Sequence, residues 1–124
     1  MAKKIIVIDD SSTVRQQVSV ALSEAGYQIV EAADGVQGLR AVEQNADAAL
    51  VICDVNMPAM GGLEMVAKAK ANGKRQELPI VMLTTEGDPS LVKQAKSAGA
   101  KAWIVKPFRP DLLVATVRKL AGAA

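Results

Sequence analysis

Short apolar runs alternate with stretches of helical period along this chain. Ile5-Ile6-Val7-Ile8, Ala48-Ala49-Leu50-Val51-Ile52-Cys53, Pro79-Ile80-Val81-Met82-Leu83 and Ala102-Trp103-Ile104-Val105 are continuous enough for strands buried on both faces of a parallel sheet. Tyr27-Gln28-Ile29-Val30-Glu31-Ala32 reads as a further strand. A first helix starts behind the N-cap hydroxyls of Ser11-Ser12-Thr13, buries Val14, Val18, Ala21, Leu22 and Ala25, and stops at Gly26. Asp34-Gly35 turns into a second, through Val36, Leu39, Ala41 and Val42. After a loop over Met57-Pro58-Ala59-Met60-Gly61-Gly62, a third runs from Leu63 to about Ala71 and is closed by Asn72-Gly73. Asp88-Pro89-Ser90 opens a fourth through Leu91, Val92, Ala95 and Ala98, ended by Gly99. Pro110-Asp111 opens the last, which buries Leu112, Leu113, Val117 and Leu120. Five strands alternating with five helices through short loops predict one α/β doubly wound domain over residues 1–124. No linker, repeat or low-complexity stretch interrupts it.

In such a sheet the carboxyl ends of the strands share one edge, where ligands bind. Asp9-Asp10, Asp54, Thr84 and Lys106 each follow an apolar run, so that edge should gather them into one pocket. Adjacent carboxylates are often no more than a solvated turn, but charge at the end of a buried strand is costly unless solvated or bound. Magnesium prefers hard oxygen ligands, usually one or two carboxylates with phosphate oxygens and water. Asp10 and Asp54 suit direct ligation, with Asp9 acting through a water. Asp54 is either a third ligand only or a nucleophile that takes a phosphoryl group as an aspartyl phosphate. That chemistry needs charge neutralisation and alignment more than acid–base help. Lys106 supplies a fixed cation and Thr84 a hydroxyl for a phosphate oxygen.

Composition narrows the alternatives. Half of the 124 residues are apolar, yet Phe, Trp and Tyr occur once each, so the core must be aliphatic. The apolar runs are far short of the ~18–20 residues that span a membrane. Met1-Ala2-Lys3-Lys4 followed by Ile5–Ile8 starts like a signal peptide, but Asp9-Asp10 cuts it short, so it reads as a first strand of a cytoplasmic protein. The single cysteine, Cys53, can form no internal disulfide and reads as a small core residue. The absence of histidine excludes histidine-dependent triads, imidazole zinc sites and a phosphohistidine made on this chain. Residues 1–62 carry four bases against eight acids, a balance of −4, and residues 63–124 eleven against five, a balance of +6. Solvated helix faces explain this, or an acidic partner docking on the C-terminal half. No basic cluster interleaved with aromatics points to nucleic acid.

Asp9-Asp10, Asp54 with Met57-Pro58 and Gly62, Thr84, and Lys106-Pro107-Phe108 together resemble the response-regulator receiver family over the whole chain. The resemblance implies a flavodoxin-like (βα)5 fold with parallel strand order 2-1-3-4-5. It implies Asp54 as phosphoacceptor, and Asp9, Asp10, Asp54 and the Asn56 backbone carbonyl around Mg2+, with Mn2+ as a substitute. Thr84 and Lys106 become the switch hydroxyl and phosphate-binding amine, with a cis peptide between Lys106 and Pro107. Asn56, Thr85 and Glu86 would tune the lifetime of the phosphoryl group. Ser12-Thr13-Val14-Arg15, Asn56, Glu86 and the ending at residue 124 resemble the stand-alone, CheY-like chemotaxis type, without an output domain. Trp103 holds the switch-aromatic position where Tyr or Phe is usual, and Thr85 replaces a smaller Ala or Gly. The partners implied are a CheA-like histidine kinase, an output target such as a flagellar motor switch protein, and a phosphatase, around a monomer with no nucleic acid or membrane. A phosphorelay intermediate or phosphate sink is the alternative. A haloacid-dehalogenase-type phosphotransferase wants a second Asp where Asn56 stands, and a flavin module would place phosphate against two carboxylates.

Overall fold

The computed structural model describes residues 2–55, 57, 60–71, 77–85 and 89–124. Five strands, β1 (Lys4–Ile8), β2 (Gln28–Ala32), β3 (Ala48–Asp54), β4 (Ile80–Thr84) and β5 (Ala102–Val105), alternate with five helices. These are α1 (Ser12–Glu24), α2 (Gly35–Gln44), α3 (Gly62–Ala71), α4 (Pro89–Ala98) and α5 (Pro110–Ala121). The strands form one parallel sheet in the order β2-β1-β3-β4-β5.

Strand side chains alternate between the two faces of a sheet, and both faces here are covered. Ile6, Ile8, Val51, Cys53, Ile80 and Met82 pack under α2, α3 and α4 through Val42, Met65, Val66 and Ala95. Ile5, Val7, Leu50, Ile52, Val81 and Leu83 pack under α1 and α5 through Val18, Leu22, Leu113 and Val117. The unbroken apolar runs of β1, β3 and β4 follow from burial on both sides. β5 is an edge, and Val105 is exposed there.

Helix starts follow the local chemistry. The Ser11 hydroxyl accepts from the Val14 amide at 3.3 Å, and Asp34 Oδ1 accepts from the Gln37 amide at 2.8 Å. Gly26 and Gly99 follow α1 and α4 in the left-handed region, as helix stops. One expected core position, Leu112, proves to be surface, and Val36 of the second helix is exposed as well. Val36 and Leu112 stand in the first turns of α2 and α5 and are 42% and 52% exposed. In α2 it is Gly38 that meets Ile8 of the sheet, and in α5 it is Leu113 that is buried. The expected stop at Asn72-Gly73, the cap at Asp88 and the loop residue Pro58 lie outside the described residues.

Candidate functional site

β1 lies between β2 and β3, so the chain leaves its carboxyl end in one direction and returns to the sheet in the other. A crevice opens at such a switch point. Asp9 is the first residue beyond β1 and Asp54 the last of β3, and the register sets Ile8 beside Cys53. The two carboxylates therefore stand side by side. Among the described residues Asp9, Asp54 and Thr84 are the buried polar or charged ones, whereas Asp10 is exposed at the mouth. Ligand oxygens of Asp9, Asp10 and Asp54 all lie within 4.8 Å of one another. Three hard oxygen donors so close, two of them on buried residues, fit a divalent cation such as magnesium.

Lys106 enters from the far side of the sheet. Val105 pairs with Thr84, and the Lys106 amide donates to the Thr84 carbonyl at 2.6 Å, anchoring the end of β5 to β4. Its Nζ donates to Asp9 Oδ2 at 2.9 Å and lies 3.3 Å from Asp54 Oδ1. The Lys106–Pro107 peptide is cis. Burial alone would lower the lysine's pKa, but the hydrogen bond and charge of Asp9, with the charge of Asp54, outweigh it and the pKa is raised. Asp54 shows the opposite balance. Burial first, then the Asp9 charge, push its carboxyl up to about 6 against the pull of Lys106. Cys53 is buried, its pKa raised by desolvation and then by Asp54 and Asp9, so it stays a thiol.

Asp9, Asp10, Asp54 and Lys106 thus converge in one cluster, and Thr84 is buried at the end of β4, the strand next to β3. Thr85 is exposed beside it, lining with Lys106, Phe108, Val14, Gln17 and Val20 a groove of about 700 Å³ between α1 and the β5–α5 connection. Trp103 lies on β5, partly buried against the α2–α4 side of the core, its indole nitrogen buried with no hydrogen-bond partner among the described residues. Asn56 and Glu86 lie outside the described residues. Sequence reasoning missed the groups that hold Asp9 in place. Its Oδ1 accepts from the Ser11 amide at 2.9 Å, and its backbone carbonyl accepts from Arg15 Nη1 at 2.6 Å. An arginine in the first turn after an acid pair was the available signal.

Comparison with known proteins agrees with this geometry. The family described as "Response regulator receiver domain" matches residues 5–118. Chemotaxis protein CheY1 of Helicobacter pylori strain J99 is 42% identical over 120 residues, 96% of this chain and 97% of that one. The solved structure of Vibrio cholerae chemotaxis protein CheY4 superimposes with a TM-score of 0.90 at 40% identity, covering 97% of this chain and 99% of that one. A CheX–CheY–BeF3–Mg complex from Borrelia burgdorferi includes a chain with a TM-score of 0.88 at 25% identity, covering 94% of this chain and 87% of that one.

Proposed function

Because the chain belongs to the response-regulator receiver family, we propose that Asp54 takes a phosphoryl group from a histidine kinase and that the chain then binds a partner in chemotaxis signalling. The observation that carries this is the Lys106 ammonium set 2.9 Å from Asp9 and 3.3 Å from Asp54, with Asp10 at the mouth. An Asp54 oxygen attacks phosphorus, the O–P bond forms, and the N–P bond to the donor's imidazole breaks. Phosphoryl transfer mainly demands positioning and charge stabilisation. Lys106 supplies a cation for the phosphoryl oxygens, and Thr84 a hydroxyl at the end of β4. Asp10 and Asp54 would hold Mg2+, which supplies charge neutralisation when bound. Asp9, whose two oxygens already serve Lys106 and the Ser11 amide, would act through a water. The Asn56 carbonyl completes the proposed ligand set, and Asn56, Thr85 and Glu86 the lifetime-tuning group.

The apolar groove beside Lys106 gives the kinase's phosphodonor domain a surface next to the acceptor. A flagellar motor switch protein is the proposed output partner and a phosphatase a further one, with a bacterial cytoplasmic location. Relatives named as chemotaxis proteins, and one solved with CheX, BeF3 and Mg, support this reading. Among the described residues no helix is long and apolar enough to cross a membrane.

Incubation with a phosphorylated histidine kinase and magnesium should label the wild type but not Asp54→Asn. Stable label on that variant would overturn the assignment. In the same assay, Asp10→Ala should lose magnesium binding and phosphorylation together.

A further inference from the structure

Arg15 makes two contacts that the phosphoryl chemistry does not call on. From the first turn of α1 its Nη1 donates to the Asp9 carbonyl at 2.6 Å, and its Nε to Glu31 Oε1 at 3.2 Å on β2. The Arg15 side chain is 18% exposed, so most of it lies inside this bridge. The Asp9 amide donates to the Ala32 carbonyl at 3.1 Å. Asp9 is thereby held through its amide by β2, through its carboxylate by Ser11 and Lys106, and through its carbonyl by Arg15.

That carbonyl belongs to the peptide joining Asp9 to Asp10. A peptide unit is planar, so fixing its oxygen fixes the direction in which the Asp10 Cα follows. Asp10 is exposed and lies where the chain passes from β1 into α1. A guanidinium suits such a clamp because its donors form a rigid fork, here shared between a carbonyl and a carboxylate.

We propose that Arg15 is a positioning residue for the acid pair, locking the Asp9–Asp10 peptide so that the Asp10 carboxylate faces Asp54 and a divalent cation binds more tightly. This rests on the reading of the three carboxylates as a cation site. The clamp and the charge of Arg15 act in opposite directions. A positive charge beside the site repels a cation, so an arginine that acted by charge alone would weaken binding, and its removal would tighten it.

Magnesium alone, titrated by calorimetry into the apo protein, separates the two. Groups that orient metal ligands typically contribute 10–100-fold to affinity. Arg15→Gln should therefore weaken magnesium binding about tenfold despite the lost positive charge. Unchanged or tighter binding overturns the proposal. Arg15→Lys keeps the charge but loses the fork and should also bind more weakly, and affinity equal to wild type would overturn the proposal as well. It provides the test if Arg15→Gln does not fold. Saturating magnesium should restore the phosphorylation rate of these variants, and an unrestored rate also counts against a positioning role. If the wild type itself binds no magnesium, the cation-site reading fails first, a result distinct from the failure of the clamp.

Discussion

Asp54 sits in a field that disfavours its charge. Burial and the neighbouring Asp9 raise its pKa from 3.8 to about 6, with Lys106 only partly compensating. The folded state thus holds a proton on Asp54 at pH values where the unfolded chain has lost it. By linkage, this group favours the fold fully below its unfolded pKa, and that contribution is lost as pH rises through about 6. Replacing it with a neutral isostere should remove the penalty. Asp54→Asn should be more stable than wild type at pH 7.5, by on the order of 1–3 kcal/mol, and nearly equal to it below pH 4. Urea unfolding of both proteins across pH 3.5–8 checks this, and an equal difference at both ends would contradict it. Lys106 is the counterpart. Lys106→Ala leaves Asp9 and Asp54 without the ammonium between them, so magnesium should bind as tightly or more tightly while the response to phosphorylation is lost. Markedly weaker magnesium affinity in calorimetry would show that the division of roles is wrong.

At the scale of elements, the end of β3 and the start of α3 are packed with no room to spare. A Cβ built on Gly62 would come within 2.0 Å of the Asp54 carbonyl oxygen, while the Gly62 amide donates to the Val55 carbonyl at 2.8 Å. The helix therefore lies directly against the backbone of Asp54, the proposed phosphoacceptor, and only a residue without a side chain permits it. Gly62→Ala should push β3 and α3 apart, lowering stability by roughly 1–3 kcal/mol and slowing phosphorylation. Thermal unfolding with the kinase assay tests both, and a variant with wild-type stability and rate would show that the contact relaxes freely. Gly38 in α2 is close to a side chain rather than to backbone, since an added Cβ would fall 2.6 Å from Ile8 Cδ1.

Over the whole molecule, phosphate at Asp54 has a short route to the surface. A phosphoryl oxygen at the pocket would attract the Thr84 hydroxyl through a charge-assisted hydrogen bond. That movement would make room beside β4, which Trp103 on the neighbouring β5 would take. Trp103 is partly buried, and its indole N–H has no acceptor among the described residues. A buried donor without a partner is an unfavourable arrangement, so a second packing needs only a modest bias. The altered face would be α4, β5 and α5, where Lys93, Lys96, Lys101 and Arg118 are exposed and an acidic segment would dock. Beryllofluoride with magnesium should shift Trp103 fluorescence and the amide signals of residues 84–118. If the analogue binds and those signals stay fixed, the signal leaves by another face.

Periodicity and strand-end chemistry, both local in the chain, were enough to show the alternation of strands and helices and to single out Asp9, Asp10, Asp54, Thr84 and Lys106. A parallel sheet converts them into one pocket because every strand ends at the same edge. Stand-alone periodicity could not rotate the helices correctly. Leu112 carries the same apolar signal as its neighbour Leu113, and only the packing of α5 on the sheet decides which of the two is covered. Nor could it assign partners to Arg15, since a guanidinium in a helical first turn is ordinarily a solvated charge. The Asp9 carbonyl and Glu31 come within its reach only when β1, β2 and α1 have packed. The elevated pKa of Asp54 belongs to tertiary structure for the same reason, because it depends on burial and on a carboxylate brought from a strand far away in sequence.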